Sequence, residues 1–60
     1  MEIGWYDDVL LKDGRVGCVI EIYTGENVET GYEIELSYKP DDSQTITVKE
    51  KDIEKVVRKN

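Results

Sequence analysis

The dipeptide Asp13-Gly14 restricts the fold of this chain most, because it lies between two runs of aliphatic and β-branched residues. Asp-Gly suits the two positive-φ positions of a type I′ turn, which joins the strands of a tight β-hairpin. A two-residue loop here fixes the register and places Leu11 opposite Val16. The hairpin then sends one alternate set of side chains inward: Val9, Leu11, Val16, Cys18, Ile20 and Ile22.

The second strand is predicted to continue to Tyr23, with its other alternate residues outside the core. Gly17 within this strand indicates a bend or a bulge, as a strongly curved sheet requires. The outward set is Gly17, Val19, Glu21 and Tyr23. The polar residues 24–30 that follow are predicted to form an exposed loop.

Residues 31–38 alternate between apolar and polar side chains, which is typical of a half-buried strand. The inward set is Tyr32, Ile34, Leu36 and Tyr38, and the outward set is Glu33, Glu35 and Ser37. We interpret Tyr32 as a core residue, because a chain without phenylalanine needs its tyrosines to fill the core.

A turn is expected around Pro40, whose fixed φ suits the second position of a turn. Residues 44–48 then return as a fourth strand, in which Ile46 is predicted to lie opposite Leu36. This pairing also aligns the neighbouring inward residues of the two strands. The predicted core is therefore Val9, Leu11, Val16, Cys18, Ile20, Ile34, Leu36, Ile46 and Val48.

The last segment fits two structures, because Ile53, Val56 and Val57 have helical spacing but also suit a short turn and a strand. Adjacent β-branched residues are poor helix formers, which favours the second structure. We expect one helical turn near residues 51–54 and then a short closing strand. The chain is thus predicted to be an all-β, small five-stranded barrel in a single domain, residues 1–60.

Several of these positions also resemble those of a known family. The matching residues are Val9, Leu11, Asp13-Gly14, Gly17 to Tyr23, Gly31 to Glu35 and Asp52-Ile53. In this pattern the chain resembles the DUF4926 group of short bacterial proteins, a domain of unknown function, and more loosely KOW and other SH3-like barrels. The resemblance implies an SH3-like barrel with one short helical turn before the last strand. It supplies no catalytic residue.

The net charge of −6 is divided unevenly along the chain. Residues 1–48 hold eleven acids and three bases, whereas residues 49–60 hold three acids and five bases. Most of the domain would therefore repel a phosphate backbone. Only the basic C-terminal segment, residues 49–60, has the opposite sign.

The composition also excludes several kinds of site. The chain has no histidine and a single cysteine, Cys18, so an internal disulfide and the usual zinc ligand sets are ruled out. No nucleophile has a histidine to act as its base. We interpret the carboxylate pairs Asp7-Asp8 and Asp41-Asp42 as solvated or turn residues. We expect no enzyme activity and no cofactor. With no disulfide, and with neither a signal peptide nor a membrane span in the first twenty residues, we expect a cytoplasmic protein.

The remaining candidates for function are aromatic and acidic side chains. They are Trp5, Tyr6, Glu21, Tyr23, Glu33 and Glu35. The aromatics either complete the core or form a binding surface, and the glutamates either form an acidic patch or an ordinary solvated face. Our first hypothesis is a protein-binding module that engages a basic protein, as inhibitors and immunity proteins do by analogy. The alternative is an RNA- or ribosome-associated KOW-like module that binds through the basic C-terminal segment.

Overall fold

Residues 1–37 and 43–60 are described by the computed structural model, and they form a single antiparallel sheet of five strands. The strands are β1 (Asp8–Leu11), β2 (Val16–Tyr23), β3 (Gly31–Ser37), β4 (Ser43–Lys49) and β5 (Ile53–Arg58). Their order across the sheet is β4-β3-β2-β1-β5. The all-β prediction is confirmed. The sheet is not closed into a barrel, since β4 and β5 are its two edges. The turn expected around Pro40, and Tyr38, lie outside the described residues.

The predicted type I′ turn at Asp13-Gly14 is wrong by one residue. Leu10, not Leu11, lies opposite Val16, and the Gly14 amide donates to the carbonyl of Leu11 at 2.9 Å. Gly14 has a φ of +96°, whereas Asp13 is not among the residues with positive φ. The loop is therefore the three-residue kind, a turn closed by one left-handed glycine, which Asp-Gly suits equally well.

This slip reverses the faces of the first half of β2, because side chains alternate with a period of two. Val19 is fully buried, whereas Val16 is 49% exposed. Cys18 is only half-buried and lies on the outer face, the face opposite the core, where it pairs with Asp8 and Glu35. The prediction that Val16 and Cys18 belong to the core is thus wrong.

A bulge in β2 then restores the predicted faces. Val19 pairs with Ile34, but Glu21 pairs with Glu33, so Ile20 is an extra residue on the bulged strand. Ile20 is half-buried instead of a core residue. Beyond it, the side chains of β2 have the orientation expected from the sequence: Ile22 packs against the core, and Glu21 and Tyr23 are exposed.

Gly17 allows close packing of β2 against β3. The sequence predicts a bend or a bulge at Gly17, but the bulge lies farther along β2, between Val19 and Glu21. Gly17 is buried. A Cβ at this position would collide with Cγ2 of Ile34 and would lie 2.8 Å from the carbonyl oxygen of Glu35. The absence of a side chain therefore lets β3 and its inward residues approach β2.

The alternation predicted for β3 is confirmed, because Tyr32, Ile34 and Leu36 are all buried. Its register with β4 is shifted by two residues from the prediction, so that Ile46 lies opposite Ile34. A shift by an even number leaves every side chain on its predicted face. Ile46 and Val48 are accordingly half-buried and pack against the core.

The C-terminal segment forms the predicted turn and strand. One turn of 3-10 helix, Glu50–Asp52, precedes β5. β5 returns to β1, where Ile53 lies opposite Leu11 and Val56 opposite Val9. Ile53 is 1% exposed and joins the core. The buried core consists of Val9, Leu11, Val19, Tyr32, Ile34, Leu36 and Ile53.

Candidate functional site

Three glutamates lie on the outer face of β2 and β3, and we call them the acidic face: Glu21, Glu33 and Glu35. Glu21 is directly opposite Glu33 in the antiparallel pair. Directly opposed like charges destabilise a sheet. Glu35 is two residues farther along β3, so its side chain projects from the same face. The alternation of β3 and the bulge in β2 together place these carboxylates side by side.

Among residues 1–37 and 43–60, no cation forms an ion pair with the acidic face. Each ion pair found in residues 1–37 and 43–60 uses another carboxylate: Met1–Glu50, Arg15–Asp13, Lys49–Glu29, Arg58–Asp8 and Lys59–Asp7. The polar contact that Glu33 makes is with the hydroxyl of Thr47, which donates to its Oε1 at 2.6 Å. These carboxylates are therefore open to an external cation.

Tyr23 adjoins the acidic face at the end of β2. Its ring lies over Gly31, the residue opposite it, since a Cβ on Gly31 would be 3.7 Å from Cδ2 of Tyr23. Partial burial raises the pKa of the Tyr23 phenol, and the negative charges of Glu33 and Glu21 raise that pKa further. The phenol is half exposed. Tyr23 thus supplies an aromatic surface beside the carboxylates.

Trp5 and Tyr6 lie on the segment that precedes β1, separate in sequence from the strands of the acidic face. Their ring centroids are 6.1 Å apart, and the side chains are 47% and 53% exposed. Tyr6 has a φ of +64°, and its amide donates to the carbonyl of Val19 at 2.7 Å. This bond joins the backbone of the segment that carries the aromatic pair to β2. Tyr32, by contrast, is a core residue, as predicted.

Asp7 is the residue whose role the sequence interpretation missed. The sequence predicts a solvated or turn residue at this position, but the side chain of Asp7 is 2% exposed. The carboxylate accepts hydrogen bonds from Nζ of Lys59 at 2.7 Å and from the amides of Asn60 and Gly4 at 2.9 and 2.8 Å. These bonds lower the pKa of Asp7 to about 2. Asp7 therefore joins the N-terminal segment to the end of the chain.

The same contacts reduce the positive charge available in the basic C-terminal segment. Lys59 is bound to Asp7, Arg58 to Asp8 at 3.1 Å, and Lys49 to Glu29 at 3.3 Å. Three of the five bases in residues 49–60 are therefore paired within the protein. The local field of this segment is weaker than its composition indicates.

The Cys18 thiol is not activated as a nucleophile. Burial raises the pKa of the Cys18 thiol, and the negative charges of Asp8 and Glu35 raise it further, which disfavours the reactive thiolate. An open cleft of about 570 Å³ lies beside Tyr32. The cleft is lined by both acidic and basic residues, so its charge favours neither an anionic nor a cationic ligand. The lining is Met1, Lys12, Glu29, Thr30, Tyr32, Glu50, Lys51, Ile53 and Glu54.

Within the described ranges, no cluster of three or more potential ligands among histidine, cysteine and the acids is arranged to bind a metal ion. The same part of the chain contains no helix with the length and apolar character needed to span a membrane.

The comparisons with known proteins give no match: no family model, no curated protein and no solved structure is similar to this chain. The resemblance to the DUF4926 group and to KOW barrels therefore stays a prediction.

Proposed function

We propose that this protein is a non-catalytic binding module that engages a basic protein through its acidic face, Glu21, Glu33 and Glu35, with Tyr23 as the adjoining aromatic surface. One observation carries the proposal. Glu21 and Glu33 are directly opposed, and neither takes part in an ion pair with the described residues. Such repulsion costs stability in the free protein. A cationic partner that lies over the pair would remove this cost, so the arrangement favours binding.

The charge of the rest of the chain supports a protein partner over a nucleic acid. Three bases of the C-terminal segment are paired internally, and the net charge of the chain is −6. A phosphate backbone would meet repulsion from most of the surface, whereas a basic protein would be attracted and steered to it. The KOW-like alternative requires the remaining bases, Lys51 and Lys55, to supply the binding energy.

We further propose that the sheet is of the SH3-like kind and that the protein acts in the cytoplasm. The order of the strands supports the first point, since β1 to β4 form a meander and β5 returns to β1 after a short 3-10 turn. The lack of any possible internal disulfide supports the second. Masking of a basic surface, as inhibitors and immunity proteins do, is the mode of action that we favour.

The test compares capture of proteins from a nuclease-treated native lysate by the wild type and by two double variants. Glu33→Lys with Glu35→Lys reverses the acidic face. Glu2→Lys with Glu26→Lys makes the same change in net charge at exposed positions elsewhere. We expect the first variant to bind the captured basic protein about tenfold more weakly at low salt, which corresponds to about 1.4 kcal/mol. The control variant should bind as the wild type does.

The salt dependence gives a second readout. Loss of steering acts mainly on the association rate, so the difference between the variants should shrink as salt is added. Equal loss in both double variants would contradict a localised site. If Lys51→Glu with Lys55→Glu abolishes capture and the Glu33/Glu35 variant binds as the wild type does, the basic segment is the binding surface and the acidic-face proposal is wrong.

A further inference from the structure

The free edge of β4 lacks the features that usually prevent an edge strand from pairing with another chain. β4 pairs with β3 over seven consecutive residues without a bulge. Residues 43–48 include neither a charged residue nor a proline, and the one charged residue of β4, Lys49, is its last and forms an ion pair with Glu29. Edge strands are normally protected by charges, prolines or bulges. The edge of β4 is regular and is uncharged over residues 43–48, so it is suited to strand addition.

The other edge of the sheet is different. β5 contains Glu54, Lys55 and Arg58, and its pairing with β1 has two register shifts. Charges and irregular pairing are the usual means of blocking an edge. The contrast between the two edges singles out β4.

The acidic face lies close to the free edge of β4. Thr47 and Thr45 are the β4 residues opposite Glu33 and Glu35. The hydrogen bond from the Thr47 hydroxyl draws the carboxylate of Glu33 over β4. A strand added to the edge would lie about 4.8 Å from β4. A lysine or arginine side chain on that strand is long enough to reach across the short threonines to the glutamates.

We propose that the partner supplies an extended segment that pairs with the free edge of β4 as a sixth strand, with lysine or arginine at alternate positions facing Glu33 and Glu35. This inference rests on the proposed function, because it assigns the cations to the same acidic face. Main-chain hydrogen bonds would give affinity, and the alternate cations would give specificity. A second copy of the chain is a poorer occupant, since its β4 brings one cation, Lys49, at its last position and its net charge is also −6.

The test uses a synthetic probe, a capped seven-residue peptide in which lysine alternates with valine. Binding to the full 60-residue protein is measured by amide hydrogen exchange and by chemical shifts. We expect alternate amides of β4, those that point away from β3, to gain protection from exchange. We also expect Glu33→Lys with Glu35→Lys to weaken binding of the peptide at least tenfold.

Two control peptides separate main-chain pairing from charge. The same peptide with every internal peptide nitrogen methylated keeps the lysines but cannot donate to β4, and it should not bind. A peptide with glutamate in place of lysine should not bind either. If the methylated peptide binds as well as the parent and the Glu33/Glu35 variant still weakens both, the acidic face is confirmed and strand addition is wrong.

Three other outcomes would also contradict part of the proposal. Failure of the lysine peptide to bind at millimolar concentration would overturn strand addition by a basic segment. Protection of β4 that grows with protein concentration, in the absence of peptide, would identify a second copy as the occupant. If the peptide protects β4 but the Glu33/Glu35 variant binds it equally well, the glutamates do not select the partner, and the proposed function fails as well.

Discussion

The carboxylate of Asp7 and the ammonium group of Lys59 lie 2.7 Å apart, although 52 positions of sequence separate them. Asp7 also accepts the amides of Gly4 and Asn60. One buried side chain thereby fixes both ends of the chain beside β1 and β5. The ion pair also neutralises a cation, Lys59, that the basic C-terminal segment would otherwise present to a ligand.

Asp7→Asn should lower the melting temperature at neutral pH, because the amide cannot accept the charge-assisted hydrogen bond of Lys59. The pKa of Asp7 falls from 3.8 to about 2 on folding, so the unfolded chain binds the proton more tightly than the folded one. The stabilisation is therefore complete above about pH 4 and is lost as pH falls from about 4 to 2. Thermal melts from pH 2 to 7 should show the wild type converging on the variant at the acid end.

Asp8→Asn provides the matched control for this change. Its carboxylate pairs with Arg58, whose side chain is 76% exposed, and an exposed ion pair contributes little. The role assigned to Asp7 would be contradicted if Asp8→Asn destabilised the protein as much as Asp7→Asn does. It would also be contradicted if the melting temperature of Asp7→Asn fell between about pH 4 and pH 2 as steeply as that of the wild type.

The register of the β1–β2 hairpin can be tested by the same substitution at two positions, Val19→Ala and Val16→Ala. Val19 is fully buried and Val16 is half exposed. We expect Val19→Ala to lower the free energy of unfolding by about 2 kcal/mol and Val16→Ala to change it by less than about 0.5 kcal/mol. Urea denaturation of both variants measures the two free energies of unfolding. A larger loss for Val16→Ala than for Val19→Ala would support the two-residue turn instead.

Gly17→Ala should destabilise the protein by on the order of 3 kcal/mol, because the added methyl meets the side chain of Ile34 and the backbone of Glu35. Gly31→Ala is the control, since its Cβ would meet nothing closer than Cδ2 of Tyr23 at 3.7 Å. Alanine is better than glycine in an open strand position, so this variant should be neutral or slightly more stable. Comparable losses in both variants would show that the close approach of β3 at Gly17 is not needed.

Much of the fold follows from local pattern, and the errors have physical causes. The alternation in β3 predicts its buried face, since every second residue there is apolar. Asp-Gly, however, suits two loop lengths, and the two choices differ by one residue of register. The bulge at Ile20 cancels that slip, so Glu21 and Tyr23 face outward for a reason that differs from the predicted one.

The candidate site was predicted in part. The outward positions of Glu33 and Glu35 follow from alternation, but the direct opposition of Glu21 and Glu33 depends on the pairing of β2 with β3, which no local signal specifies. The burial of Asp7 depends on contacts with the far end of the chain. An Asp-Asp pair before a strand is equally typical of a solvated turn, so the sequence has no signal for that role.

Binding through the acidic face can be located by a chemical-shift map of the isotope-labelled protein titrated with the basic protein that it captures. We expect the largest changes on Glu21, Tyr23, Glu33 and Glu35 of the acidic face and on β4, the strand that lies beside Glu33 and Glu35. The Glu33→Lys, Glu35→Lys variant should need about tenfold more partner to reach the same changes. Shifts concentrated on Lys51 and Lys55, with the glutamates of the acidic face unperturbed, would contradict binding through the acidic face.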